Sequence, residues 1–384
     1  MVSNENMLMI PTATPDYNHP AFTLDTSFIH EEQPKNLLNE DDTSQATQVT
    51  NNNYTTDQFQ TTLTDERPNE PFGDCPDIKA PKHDRWYLQN VNGISTNYDW
   101  MAWKMILAEL NKLQVDGFSI TEPNLNWTPE NTHRAQTLGR NWFKAFRLNT
   151  VSSNDPSTRK YYQPGGICTG IANSMAGRTT KQGSDPSGLG RWTYSRMEGK
   201  MNHDTEPPTP TRVYFVTSYC VSQSDSSNPG TETVFMQQKR LLTLQGIANP
   251  KPRQQWTEDI TKQLKTWINE RAKVILCMDA NADLDDAHIQ KLLRDTGMVD
   301  LVAHHLGSDL PETYVNGKKR VDHYFGTPDV APAVKRVAIL AYNEGIVADH
   351  RGIIRLPYCS QVARSTCLSS PAKCLRAPSL LTYS

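Results

Sequence analysis

Hydrophobic spacing shifts from segment to segment along this chain, and the shifts mark out a mixture of strands and helices. The stretch DRWYLQNVNGIS, residues 84–95, alternates in part and ends in a glycine turn, which predicts a short strand. Trp100, Trp103, Ile106, Leu107, Leu110 and Leu113 then recur at helical spacing, so a helix is expected over 98–114 with both tryptophans in the core. A strand is expected at 116–121 (DGFSIT), a helix around 131–146, and strands at 166–172, 191–197 and 212–219. Helices follow near 231–246 and 256–271, then the apolar strand VILCMD at 274–279, a helix at 286–296, and strands near 321–326, 335–341 and 351–355. Strand runs broken by helices without strict alternation predict an α/β domain of two sheets covered by helices, not one doubly wound parallel sheet. Residues 150–165, 176–190 and 199–211, the last with prolines at 207, 208 and 210, are expected to be loops.

Composition adds boundaries. Residues 1–80 are rich in Asn, Thr, Asp, Gln and Pro and hold too few apolar residues to offset the entropy of ordering, which predicts a disordered acidic arm. They carry 14 acidic residues against Lys35, Arg67 and Lys79, so the chain's overall charge of −3 leaves +8 on the remainder. A mildly basic body suits a partner with phosphates, although solvated faces carry such charge as well. The tail from Ser360 has no period, and 360–384 is expected to be an irregular extension. Cysteines at 75, 168, 220, 277, 359, 367 and 374 show neither zinc-site pairing nor a dense disulfide framework, which fits a reducing compartment. The start MVSNENMLMI lacks a basic region before its short apolar run, and no stretch approaches bilayer length. A soluble, intracellular protein without membrane contact is expected, with nucleus and cytoplasm equally open.

Chemistry-bearing residues gather where the expected strands end: Asn90 and Asn92, Glu122, Tyr219, Asp279 and Asn281, Asp322 and His323, Asp349 and His350. Each has an ordinary explanation by itself, as a turn residue, a solvated carboxylate or a surface hydrogen bond. Their order is more specific. QNVNG, SITEPN, a strand ending in TSY, CMDAN, KRVDHYF and VADHRG resemble, in sequence, the motifs of the endonuclease/exonuclease/phosphatase superfamily across residues 84–356. The likeness is nearest to apurinic endonucleases and to the endonuclease domains of LINE-type retroelements.

That resemblance implies a four-layer α/β/β/α sandwich with the site at one edge of the paired sheets. It also implies a magnesium-dependent phosphodiesterase, Mn2+ being an acceptable substitute. Such an enzyme must activate a water for in-line attack, neutralise charge on the phosphoryl oxygens and help the leaving oxygen depart. Magnesium takes one or two carboxylates plus waters, which Glu122 and Asp349 could supply, with Asn92 where some relatives carry Asp. By the same resemblance Asp279 orients or deprotonates the water, Asn281 donates to the phosphate, and Asn90 helps fix Asp279. His350 contacts the phosphate, and Asp322 holds its imidazole and favours the charged form. His323 should point away from Asp322 on an extended segment and is left out of the site. Met278 and Ala348 depart from the Gly and Ser usual in the superfamily, and altered packing is expected there.

Tyr219 stands where secreted deoxyribonucleases and several phosphatases have His, which favours the apurinic and retroelement branch. The leading expectation is therefore a DNA endonuclease, as a detached nuclease domain of a retroelement, since no polymerase segment follows. A phosphatase or phosphodiesterase acting on RNA or a small phosphorylated molecule is the first alternative, and a catalytically silent scaffold the second. For DNA, a basic rim is expected from Arg159, Lys160, Arg178, Lys181, Arg191, Lys318, Lys319 and Arg320, with Trp127 and Trp142 either stacking on bases or filling the core.

Overall fold

The computed structural model describes residues 69–74, 79, 83–155, 162–203, 206–222 and 233–357. Most of the expected arm and all of the expected extension at 360–384 lie outside them.

Among the described residues, thirteen strands form two sheets. The first holds β1 (Phe72–Gly73), β2 (Trp86–Asn90), β3 (Gly117–Thr121), β4 (Phe146–Val151), β5 (Ile167–Ala172), β12 (Val334–Ile339) and β13 (Ile353–Pro357), in the order β1-β12-β13-β2-β3-β5-β4. The second holds β6 (Thr179–Ser184), β7 (Trp192–His203), β8 (Glu206–Tyr219), β9 (Lys273–Asp279), β10 (Val299–Asp300) and β11 (Asp322–Gly326), in the order β10-β11-β9-β8-β7-β6. Each sheet has one parallel pair at its centre, β2 with β3 and β8 with β9, and every other pairing is antiparallel. A parallel pair needs a crossover. The helix α1 (Asn97–Lys112) makes it between β2 and β3, after α1 come α2 (Pro129–Gly139) and the single turn α3 (Asn173–Ala176), and α4 (Val234–Leu244) with α5 (Pro252–Asn269) crosses between β8 and β9.

Alternation along the strands explains the layers. Trp86, Leu88 and Ile353 face the second sheet, where they meet Phe215, Ile275 and Tyr324, while Tyr87 and Phe118 face outward under α1 and α2. Trp100, Trp103, Ile106, Leu107 and Leu110 of α1 are buried there, as their spacing predicts. On the far side Trp256, Ile260 and Leu264 of α5 and Ile289 and Leu292 of α6 (Ala287–Thr296) cover Tyr214, Val274 and Leu276. The short helix α7 (Leu301–Leu306) completes the series and packs Leu301 and Val302 against the inter-sheet core. This is the four-layer α/β/β/α sandwich. Trp86 stacks on Phe215 across the interface with ring centroids 3.5 Å apart, and it needs Gly117 beside it, where a Cβ would come within 2.4 Å of the indole. A buried hydroxyl chain also ties the sheets: Ser119 to Thr217 at 2.7 Å, and Thr169 to both Thr193 and Thr217 at 2.6 Å.

Several expectations are corrected. The helix around 131–146 ends at Gly139, and β4 and β6 occupy parts of the regions expected to be loops at 150–165 and 176–190. Both are edge strands with mixed exposure, so their sequences lack the apolar run of a central strand. The expected loop at 199–211 instead continues the β7–β8 ladder, with Lys200 opposite Pro210. β9 joins β8 only from Val213 onward, which leaves one edge of the proline-bearing segment unpaired and proline admissible there. Within the expected arm, Phe72 and Gly73 pair with Ile339 and Ala338, Asp74 accepts from the Val337 amide at 2.9 Å, and Arg351 donates to the Glu70 carbonyl at 2.7 Å. The folded chain therefore extends upstream of residue 84. No helix among the described residues is long and apolar enough to cross a membrane.

Candidate active site

Strand polarity brings the candidate residues together. β2, β3, β8 and β9 end, and β11 and β13 begin, at one pole of the sandwich, so the loops after the former and before the latter meet there. Tyr219, Asp279 and Asp322 lie side by side in register across β8, β9 and β11. Asn90 closes β2 facing Asp279, and Glu122 follows the last residue of β3. Asn92, Glu122 and Asn281 each take a left-handed backbone, with φ of 45°, 49° and 46°. That conformation is common enough for Asn but costly for Glu, and strain of this kind concentrates at functional sites.

Asp279 is fully buried. Its carboxylate accepts from Asn90 Nδ2 at 2.8 Å and from the Asn281 backbone amide at 2.8 Å, with Asn281 Nδ2 at 3.4 Å. Burial, with the negative charges of Asp322 and Glu122 against the relief given by His350, raises its carboxyl to about 8. Asn281 also donates to the Cys220 carbonyl at 3.0 Å, which fixes its amide.

His350 Nδ1 lies 2.8 Å from Asp322 Oδ2. Burial opposes the imidazolium, but the charge and hydrogen bond of Asp322, with Asp279 and Asp349 nearby, outweigh it and lift the imidazole to about 10. His350 is therefore a buried cation at neutral pH. His323 turns to the other side: its Nε2 is 2.9 Å from the Ala282 carbonyl and its ring stacks on Phe325. Burial and the nearby Arg320 push it down to about 4, so it is neutral.

Tyr219 hydrogen-bonds the Glu122 carboxylate, and burial and the charges of Glu122 and Asp279 hold its phenol well above the usual range, so it stays protonated. Burial likewise raises Glu122 against the hydrogen bonds from Tyr219 and Asn90. Asp349 is raised by burial as well, against His350 and a 2.9 Å hydrogen bond from Asn92 Nδ2. Asp349 Oδ1 is buried without a partner, and Asp349 and Glu122 are close enough that the charge of one disfavours ionisation of the other. Two desolvated, mutually repelling carboxylates with an orphan oxygen fit a hard divalent cation. Asn92, expected as a ligand, is turned with its amide nitrogen on Asp349 and so orients that carboxylate. Asp279, Asp322 and His350 also place one ligand-type atom each within 4.8 Å of one another and could hold a metal. The hydrogen bonds above already engage His350 Nδ1 and both Asp279 oxygens.

Two residues at the site carry no signal in the sequence. Thr313 is buried and its hydroxyl accepts from the backbone amides of Val321 and Asp322 at 3.0 and 3.1 Å, while Tyr314 packs its ring 4.9 Å from that of His350. Neither belongs to a periodic element, so only the three-dimensional pairing of this loop with the 349–351 segment reveals them.

The expected basic rim is largely redrawn. Arg191 is buried in ion pairs with Asp185 and Asp259, and Arg320 is buried on Asp300. Arg178 follows α3 at the opposite pole and lies 3.9 Å from Asp84. Lys318 and Lys319 are exposed on the loop leading to Asp322, with Lys319 paired to Asp283, and Lys181 is exposed on β6. Arg159 and Lys160 lie outside the described residues. Trp127 is buried, and Trp142, 40% exposed, sits between α2 and β4 at the opposite pole, so neither is placed to stack on a base at the site. Cys168, Cys220 and Cys277 are free and buried.

No protein-family model and no curated protein matches this chain. Solved structures do. The AP endonuclease LMAP from Leishmania major superimposes with a TM-score of 0.52 at 14% identity, covering 79% of this chain and 99% of that one. The catalytic domain of Xenopus laevis APE2 gives 0.52 at 12% identity over 74% and 94%. The chain thus has the endonuclease/exonuclease/phosphatase fold.

Proposed function

We propose that this protein is a metal-dependent phosphodiester hydrolase, and specifically a DNA endonuclease of the apurinic or retroelement type. The observation that carries the reading is the buried carboxylate of Asp279, held by Asn90 and Asn281 beside the His350–Asp322 pair. Burial raises this carboxyl above the ordinary carboxylate range, which strengthens it as a general base, and the two amides aim it. In this reading Asp279 takes the proton of the attacking water, which adds to phosphorus as the leaving oxygen departs on the opposite side. The charged imidazole of His350 and the amide of Asn281 stabilise the phosphoryl oxygens, where charge grows in the transition state. Tyr219, kept protonated, donates to Glu122 and fixes that carboxylate. Glu122 and Asp349, the latter oriented by Asn92, would hold Mg2+, or Mn2+ in its place. When bound, the cation supplies Lewis-acid neutralisation of the phosphoryl charge.

The choice of DNA rests on the mildly basic body and on Tyr219, as in the branch the sequence resembles. The redrawn rim favours a second reading, in which RNA or a small phosphate ester is cleaved. Arg191 and Arg320 are consumed in buried ion pairs and Arg178 faces away, so of the expected rim only Lys181, Lys318 and Lys319 are exposed among the described residues, fewer cations than a duplex footprint engages. A plasmid-nicking assay with magnesium, repeated with EDTA and with an abasic-site oligonucleotide, tests the first reading. Nicking that EDTA abolishes supports it. Cleavage confined to RNA or a small phosphodiester would establish the second, and a folded protein inert toward all of them would leave a scaffold.

A further inference from the structure

Six arginines are buried among the described residues, and five of them are accounted for. Arg85 donates to the Leu113 carbonyl, Arg191 to Asp185 and Asp259, Arg253 to the Val221 carbonyl, Arg320 to Asp300, and Arg351 to the Glu70 carbonyl. Arg355 is the exception. It is 0% exposed, and its Nε, Nη1 and Nη2 all lack an acceptor.

Its position makes this consequential. Arg355 shares the inward face of β13 with Ile353 and pairs in register with Trp86 on one side and Val337 on the other, so its side chain enters the space between the sheets. The polar groups that influence it are Tyr324 and Cys277, themselves register partners on the second sheet. Neither supplies a negative charge at neutral pH, because burial pushes the Cys277 thiol up to about 12 and the Tyr324 phenol well above its usual range. The Tyr324 hydroxyl is directed at the Ile353 carbonyl, 3.4 Å away. Burial lowers the guanidinium only to about 10, so it keeps its charge. An unpaired buried cation is strongly destabilising, whereas one with a counter-charge is tolerated.

We propose that Arg355 binds a monovalent inorganic anion, a halide, within the sheet interface, as a structural anion site that shares no residue with the active site. One guanidinium balances one negative charge. The neighbours placed beside it, Trp86 in register, Ile353 on the same strand face, and Tyr324 and Cys277 opposite, are uncharged and offer no second cation for a doubly charged oxyanion.

The test is thermal melting of the full chain at constant ionic strength, with sodium chloride replaced stepwise by sodium gluconate, on the parent and on Arg355→Met. The parent should melt higher as chloride replaces gluconate, with stability rising as the logarithm of chloride once the site is half filled, and Arg355→Met should be insensitive. Equal melting of the parent in both salts, or a chloride response that persists in Arg355→Met, overturns the proposal. Should the variant fail to fold, crystals of the parent soaked in bromide decide: an anomalous peak at hydrogen-bond distance from the Arg355 guanidinium supports the site, and its absence there refutes it. These readouts do not depend on catalysis, so the anion site and the nuclease reading stand or fall separately.

Discussion

The two sheets share a plan and differ in what they bring to the site. Each has a parallel pair at its centre, flanked on both sides by antiparallel strands. The first sheet contributes Asn90, Asn92 and Glu122, and the segment leading into β13 contributes Asp349 and His350; the second contributes Tyr219, Asp279, Asn281 and Asp322. The carboxylates suited to a cation thus come from one half and the proposed base from the other. Three of the site's hydrogen bonds cross between them: Asn90 to Asp279, Tyr219 to Glu122, and His350 to Asp322. Neither half would hold its groups in place alone, so sheet packing also sets the site's geometry.

The largest expected effect comes from disturbing that packing. Trp86→Ala removes the inter-sheet stack on Phe215 and should lower stability by about 3–5 kcal/mol in a urea titration. Hydrolysis should fall with it even where the variant remains folded. A variant that lost stability but kept full turnover would show that the halves are registered by something other than this stack.

Asp279→Asn leaves packing alone and removes the proposed base from the second sheet. Turnover should drop by roughly 100-fold or more, with nucleic-acid affinity retained at a stated salt concentration. An unchanged rate would remove Asp279 from the reaction. Glu122→Gln acts on the first sheet, where it keeps shape and loses a charge. The magnesium needed for half-maximal rate should rise about tenfold or more while the melting curve stays put, and a superimposable metal titration would exclude Glu122 as a ligand.

The smallest effect sharpens the contrast between the neighbours Asp322 and His323 on one strand. His323 is neutral in the fold, depressed to about 4, whereas the unfolded chain protonates it near 6.5. Its contribution is therefore intact above about pH 6.5 and lost as pH falls toward 4, with a slope of about 1.4 kcal/mol per pH unit for one proton. Chemical denaturation across that window should show a shallower decline for His323→Gln. Parallel curves would mean that other groups govern acid stability.

The sequence exposes the parts of this molecule that rest on local pattern. α1 is legible because one face of a helix meets one sheet, and the ends of β2, β3, β8 and β9 are legible because an apolar run stops at a polar residue. β4 and β6 are not, since an edge strand draws its conformation from a partner that local sequence does not display. The rim failed for a related reason. A loop arginine looks the same whether it faces solvent or, as Arg191 does, turns inward onto Asp185 six residues earlier in the chain and Asp259 far along it. Thr313 was invisible because its value lies in two backbone amides eight and nine residues ahead.

The left-handed turn at Glu122 implies a trade-off between durability and activity. Asn holds the corresponding conformation at positions 92 and 281 with little penalty, but Glu at 122 does not, so the backbone there favours a different residue from the chemistry. Glu122→Asn should therefore raise the melting temperature while erasing the response to magnesium, and a scan of both quantities would show it. Were the proposed reaction not needed, mutational drift at this position would run toward Asn or Gly.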